Sequence, residues 1–143
     1  MSLKQWGDNG WLRNHKTSHQ EISNLLGIVD RDLHDADAKG TISDDWKFGI
    51  AYNAALKLCT ILLYASGYKS EKNLAHYRTL QALPLILGSK RTGDAKYLDN
   101  CRMKRNVVEY DYVGGASDAD AKELIRFVNE LPADCREKLR RFS

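Results

Sequence analysis

Apolar residues recur at helical spacing through most of the chain, and the interruptions fall where helices must stop. Ile22, Leu25, Leu26, Val29 and Leu33 lie three and four apart, which predicts a helix from Ser18 to Ala38 with Gly40 as its stop. Ser43, followed by Asp44 and Asp45, caps a second apolar series, Trp46, Ile50, Ala54, Leu58, Ile61 and Ala65, that ends at Gly67. Apolar residues cover most of that helix's circumference near its middle, so it is predicted to be central. Ala51, Ala54 and Ala55 let another helix approach it closely, while Tyr52, Asn53 and Lys57 are polar exceptions that need partners or solvent. A third helix is predicted from Asn73 to Leu87, with Pro84 bending it or opening a new turn, and a fourth from Asp94 to Glu109. Ser117, with Asp118 and Asp120, starts a fifth, lined by Ala121, Leu124, Ile125, Val128 and Leu131 up to Pro132. A short basic tail helix, Asp134 to Arg141, closes the chain.

Met1 to Lys16 carry Trp6 and Trp11 but no sustained period, and read as an extended or partly helical arm. Its indoles are expected to pack on the helices or on a second subunit. The division that follows is an arm over residues 1–17 and a helical unit over 18–143. Hairpin signals between alternating apolar runs are missing, so the fold class is all-α. Short connections between long helices favour antiparallel neighbours, hence an up-and-down bundle of four or five helices.

With 143 residues and no linker-like break, the chain is most simply one domain, long enough to bury a core. The net charge of +3 permits an acidic partner without demanding one. Positive charge is concentrated in Arg102, Lys104 and Arg105, and again in Arg136, Lys138, Arg140 and Arg141, where it suits the dipole of a final helix. Cys59, Cys101 and Cys135 are odd in number and form no Cys-x-x-Cys pair, so neither a disulfide framework nor a zinc site is expected. His15 and His19 are four apart, but no third ligand is obvious, and no metal or other cofactor is expected. No secretory signal opens the sequence, and the longest apolar region, Ile50 to Ala65, is shorter than the ~20 residues that span a bilayer. A cytoplasmic protein without membrane contact is the expectation.

One residue disturbs the apolar pattern. On an ideal helix Leu98, Cys101, Arg105, Val108 and Tyr112 share a face, which places a guanidinium in an otherwise apolar stripe. Arginine cannot lose its proton, so it needs a carboxylate, a phosphate or a partner chain nearby. Glu109, one turn later, supplies one such partner within the helix. Glycine-rich phosphate loops, Gly-x-Ser-x-Gly and His-Glu-x-x-His are all absent from the sequence. His34 lies among aspartates as a solvated residue, Asp94 and Asp99 face solvent by spacing, and His76, at the start of the third helix, reads alone as a capping or surface histidine.

The order of several short motifs resembles the HEPN domains, in particular the small bacterial and archaeal members of that superfamily. The motifs are Ala51-Tyr52-Asn53-Ala54-Ala55 in a long second helix, Gly67-Tyr68, His76, and Arg105-Asn106-x-x-x-Tyr110-Asp111 at the end of the fourth helix. The Ser117-led helix with Phe127 near its end also fits, and the likeness covers roughly residues 18 to 131. It implies an antiparallel four- or five-helix bundle that dimerises. Many such proteins are ribonucleases, often toxins paired with a small nucleotidyltransferase antitoxin, and their hallmark is Arg, four to six residues, then His.

By this resemblance Arg105 takes the arginine position, Asn106 the polar residue after it, and Tyr112 a tyrosine that some members carry. Tyr110 stands where the histidine would be. Metal-free RNA cleavage needs a proton acceptor or donor at the 2′-hydroxyl and leaving oxygen, and a cation on the phosphorane. Arg105 suits the last task; Tyr110, with an ordinary pKa of about 10, suits proton donation better than acceptance. The expected site therefore has Arg105, Asn106 and Tyr110 as catalytic residues, and Arg102, Lys104, His76 and Tyr112 as contacts to RNA or a nucleotide. The alternative expectation is a non-catalytic interaction module that docks a nucleotidyltransferase or another protein, with Arg105 and Glu109 as a structural pair.

Overall fold

The computed structural model describes residues 1–37, 42–110, 115–131, 135 and 139, with 107–110 described by their backbone alone. The chain opens with α1 (Leu3–Asp8), closed by a capping box: Ser2 Oγ accepts from the Gln5 amide at 3.2 Å, and Gln5 Oε1 accepts from the Ser2 amide at 2.7 Å. Strand β1 (Leu12–Asn14) precedes two long helices, α2 (His19–Asp37) and α3 (Asp44–Ala65). Strand β2 (Tyr68–Ser70), α4 (Ala75–Gln81) and α5 (Leu83–Leu87) follow, then a 3-10 turn at Ser89–Arg91, α6 (Thr92–Tyr110) and α7 (Asp118–Glu130).

Five helical stretches therefore stand where periodicity and caps place them. Ser43 Oγ accepts from the Trp46 amide at the start of α3, and Ser117 forms a reciprocal capping box with Asp120 at the start of α7. Asp45 in the first turn of α3 accepts from the Ala116 amide at 3.1 Å, which ties the entry of α7 to that of α3. The predicted third helix is divided into α4 and α5, and Pro84 sits in the first turn of α5, where its missing amide hydrogen costs nothing. Of the predicted tail helix, Asp134 to Arg141, only Cys135 and Leu139 are among the described residues; both are helical, and Cys135 is buried.

The strands modify the all-α expectation. β1 and β2 pair antiparallel, with Leu12 opposite Ser70, Arg13 opposite Lys69 and Asn14 opposite Tyr68. Three-residue strands leave no alternation for a sequence to display, and this pair depends on segments far apart in the chain. Through it the arm becomes part of the main structure. Trp6 and Leu12 are buried in the same core as the helices, Trp11 packs on that core, and the two indoles meet edge to face at 5.8 Å.

Helix α3 is the centre of the bundle and packs on α2, α6 and α7. Phe48, Leu58, Ile61, Leu62 and Leu63 are almost wholly enclosed, each worth roughly 1.5–3 kcal/mol of burial, and Ala51, Ala54 and Ala55 are covered completely. Two sequence expectations need correction. The helix has 22 residues, long and apolar enough by length and composition to cross a membrane, because it extends to Asp44, well before Ile50. Most of it is buried against neighbouring helices, as in the core helix of a soluble protein. Trp46 does not join the apolar stripe: it is 65% exposed, because it shares with Asn53 and Lys57 the one side of α3 that its neighbours leave open.

Candidate functional site

Helix α6 presents Leu98, Cys101 and Arg105 to α3, as the spacing requires. Leu98 and Cys101 are buried, and Arg105 is half-buried with its Nε enclosed. The Arg105 guanidinium lies 5.5 Å from the centre of the Tyr52 ring, within range for a cation to be attracted to the aromatic face. Tyr52 is completely buried, and its hydroxyl has no hydrogen-bond partner among the described residues. Burial pushes its phenol well above the ordinary value, against the opposing pull of Arg105 and Arg102. A buried hydroxyl left in this condition costs free energy, so its position beside a half-buried cation calls for an explanation.

Arg102 sits one turn earlier on α6. Its Nε donates to Asp99 at 2.7 Å, and its guanidinium reaches across to α4, 5.7 Å from the centre of the Tyr77 ring. His76, next to Tyr77 in the first turn of α4, is exposed on one side. The protein that crowds its other side, then the positive charges of Arg105, Arg102 and Lys57, hold its pKa below the ordinary histidine value, so the ring is neutral at pH 7.

Helix α4 follows a strained residue and is tied to the arm and to β2. Leu74, immediately before α4, has φ 57°, a left-handed conformation that costs a leucine about 1–2 kcal/mol. Thr79 and Ser70 share a hydrogen bond of 2.8 Å that fastens α4 to β2. The Arg78 guanidinium lies 3.8 Å from the centre of the Trp11 ring and 5.8 Å from that of Trp6, so both arm indoles contact the same short helix.

Arg105 and Arg102 thus lie one turn apart on α6, and the field of both reaches His76 on α4. Lys104 points elsewhere: about 100° of helix rotation separates it from Arg105, and its ammonium is paired with Asp120 of α7 at 2.8 Å. There it lines a cavity of about 370 Å³ between α6 and α7, with Phe48, Tyr97, Cys101 and Glu123. Asn106 is exposed on α6. The side chain of Tyr110, and those of Val108 and Glu109, lie outside the described residues, as does Tyr112 altogether.

Asp94 and Asp99 do not simply face solvent. Each is half-buried and holds an arginine one turn away, Asp94 with Arg91 at 2.8 Å and Asp99 with Arg102 at 2.7 Å, which the i,i+3 spacing permits. Sequence reasoning missed Tyr52 and Lys57 as neighbours of the site, although a hydroxyl and an ammonium in an otherwise apolar helix were the available signal. His15 accepts or donates a 2.7 Å hydrogen bond with Glu21 and rests on Tyr64 with ring centres 4.1 Å apart. Among the described residues no three His, Cys, Asp or Glu side chains come together as metal ligands.

Two guanidiniums one turn apart on one helix suit a phosphodiester, whose anionic oxygens such cations attract and orient. Comparisons of the chain with protein-family models, with curated proteins and with solved structures found no match.

Proposed function

We propose that this chain is a cytoplasmic HEPN-like protein that binds RNA or a nucleotide through Arg105 and Arg102. In this reading the helices form an antiparallel up-and-down bundle, and the protein is a homodimer in which two Arg105 segments meet, placing four guanidiniums around one cleft. Met103, exposed on α6 beside Arg102, is an apolar side chain that such an interface covers. The observation that carries the reading is the pair of half-buried guanidiniums on α6, Arg105 at 5.5 Å from the Tyr52 ring and Arg102 at 5.7 Å from the Tyr77 ring. The proposed activity is metal-independent cleavage of RNA, with Arg105 stabilising the scissile phosphate, Asn106 orienting it and Tyr110 donating a proton. The biological setting that follows is a toxin paired with a nucleotidyltransferase antitoxin.

Purified protein and an Arg105→Ala variant, incubated with total RNA at neutral pH with and without chelator, test this. Cleavage by the wild type alone, indifferent to chelator, is the expected result. Absence of both cleavage and RNA binding removes the reading.

A second reading is favoured by specific observations. Arg102 is already engaged by Asp99 and Lys104 by Asp120, which reduces the charge offered to a phosphate backbone, and Trp46 exposes an indole of the kind that anchors protein interfaces. On that reading the chain is a non-catalytic module that docks a nucleotidyltransferase or another protein. Growth arrest on induction of the wild type but not of Arg105→Ala favours the enzyme; equal harmlessness favours the module.

A further inference from the structure

Tyr52 is the one completely enclosed residue of α3 that carries a hydroxyl, and nothing among the described residues uses it. Around it in the sequence Ala51, Ala54 and Ala55 are covered completely, so a phenylalanine would serve the packing without leaving an oxygen alone. An orphaned donor in such a place points to a partner that joins the protein from outside. The nearest functional group shown beside it is the Arg105 guanidinium, which comes from α6 and lies 5.5 Å from the centre of the Tyr52 ring. We propose that the Tyr52 hydroxyl donates a hydrogen bond to an oxygen of the phosphate group that Arg105 holds, so that α3 and α6 grip one phosphate between them. This assignment rests on the phosphate-binding reading above and adds to it a residue from outside α6.

The chemistry of the two groups selects an anion. A guanidinium has only donors, and the phenol beside it has one O–H to give, so an atom that accepts from both is best an oxygen carrying negative charge. Burial holds the phenol's pKa well above its ordinary value, even against the pull of Arg105 and Arg102, so the hydroxyl keeps its proton at neutral pH. Asp99, a carboxylate close enough to act on the same phenol, is turned to Arg102 at 2.7 Å and leaves the hydroxyl unserved.

Burial also limits how the phosphate enters. The hydroxyl is enclosed, whereas Arg105 is only half-buried and meets solvent. One non-bridging oxygen therefore turns inward to Tyr52, while the ester substituents stay on the exposed side of Arg105. Arg102, one turn earlier on α6, adds its positive field on the phenol. A backbone diester, a terminal phosphate and free phosphate all offer a non-bridging oxygen, so the shared chemistry is that of the phosphoryl group. Tyr52 makes and breaks no covalent bond in this role; it binds and orients.

The test uses the full chain as wild type, Tyr52→Phe and Arg105→Ala. Fluorescence anisotropy measures the affinity of each for a single-stranded 2′-deoxy oligonucleotide, which lacks the 2′-hydroxyl needed for cleavage, made with a 5′-phosphate and with a 5′-hydroxyl. Inorganic phosphate serves as competitor. In parallel, wild-type protein labelled with carbon-13 at the tyrosine Cζ is titrated with the same probes, the resonance missing from Tyr52→Phe identifying Tyr52. The expected result is binding about fivefold weaker in Tyr52→Phe, the factor for one hydrogen bond, with a Tyr52 Cζ resonance that moves as the wild type is saturated. Within that result, a loss confined to the 5′-phosphorylated probe assigns the group to a chain end, and an equal loss on both probes assigns it to the backbone. Displacement of either probe by inorganic phosphate shows that the free ion takes the same place. An unmoved Cζ resonance overturns the assignment whatever the affinity, because a phenol that merely props Arg105 gains no new partner. Unchanged affinity in Tyr52→Phe while Arg105→Ala binds weakly also overturns it, and leaves the reading of Arg105 standing. If the wild type binds neither oligonucleotide and phosphate leaves the resonance in place, both fall.

Discussion

Replacing Tyr52 with phenylalanine separates stability from function at a single oxygen atom. The hydroxyl is completely buried beside Arg105 and has no hydrogen-bond partner among the described residues. An unsatisfied buried hydroxyl costs about 1–3 kcal/mol, whereas deleting it forfeits only the dispersion contacts of one atom, a few tenths of a kcal/mol. The ring stays, so the attraction to the Arg105 guanidinium at 5.5 Å is retained in large part. Tyr52→Phe should therefore stabilise the free protein by about 1 kcal/mol, or raise its melting temperature by about 4 °C at this chain length. If the hydroxyl is kept for a bound phosphate, the same change should weaken binding of a 2′-deoxy oligonucleotide about fivefold, the loss of one hydrogen bond worth about 1 kcal/mol. Urea unfolding at constant m-value gives the first quantity, and fluorescence anisotropy the second. Destabilisation of 1 kcal/mol or more would refute the reasoning, since it would mean that the hydroxyl is satisfied in the free protein.

Other consequences concern strain, pH and thiol chemistry. Leu74→Asn should raise the unfolding free energy by about 0.5–1 kcal/mol, because asparagine tolerates the left-handed backbone and the leucine side chain is mostly exposed; a loss in urea unfolding would contradict the assigned strain. Hydrogen bonds from Thr17 and His15 hold the Glu21 carboxyl below the usual range, so its contribution is present above the unfolded value of about 4.3 and is lost as pH falls through the lower folded value. Acid unfolding of Glu21→Gln should accordingly be flatter than that of the wild type in that window, and identical curves would exclude the effect. Cys59, Cys101 and Cys135 are buried, with the Cys59 thiol pushed far up by burial and that of Cys101 to about 11. A chromogenic disulfide reagent at pH 8 should label the native protein very slowly and all three thiols after unfolding; prompt native labelling would contradict that burial.

The starts of α3 and α7 were legible because each is specified twice, by an apolar period and by a capping serine, Ser43 and Ser117. The sheet was not, because Leu12–Asn14 and Tyr68–Ser70 are too short to carry alternation and exist only through each other. At the site, the conflict of Arg105 with its apolar stripe was visible from spacing alone, since Leu98, Cys101, Arg105 and Val108 lie on one helix. The neighbours of Arg105 come from other helices. That Tyr52 meets Arg105 from α3, and that Tyr77 meets Arg102 from α4, depends on how three helices pack, which no local period encodes. Lys104 shows the converse error: adjacent in sequence to Arg105, it faces α7, because neighbours on a helix point about 100° apart.

Salt dependence of RNA binding tests the central claim most directly, that Arg105 and Arg102 hold a phosphate backbone. Anisotropy titrations of a labelled single-stranded RNA across a range of salt concentrations would compare the wild type with Arg102→Ala/Arg105→Ala. The expected result is weaker binding by the double variant, with a log–log salt slope shallower by about 1.4, the share of two phosphate contacts on a single strand. Equal affinity and equal slope for the two proteins would contradict the claim and move the function of this chain to its protein-facing surface around Trp46.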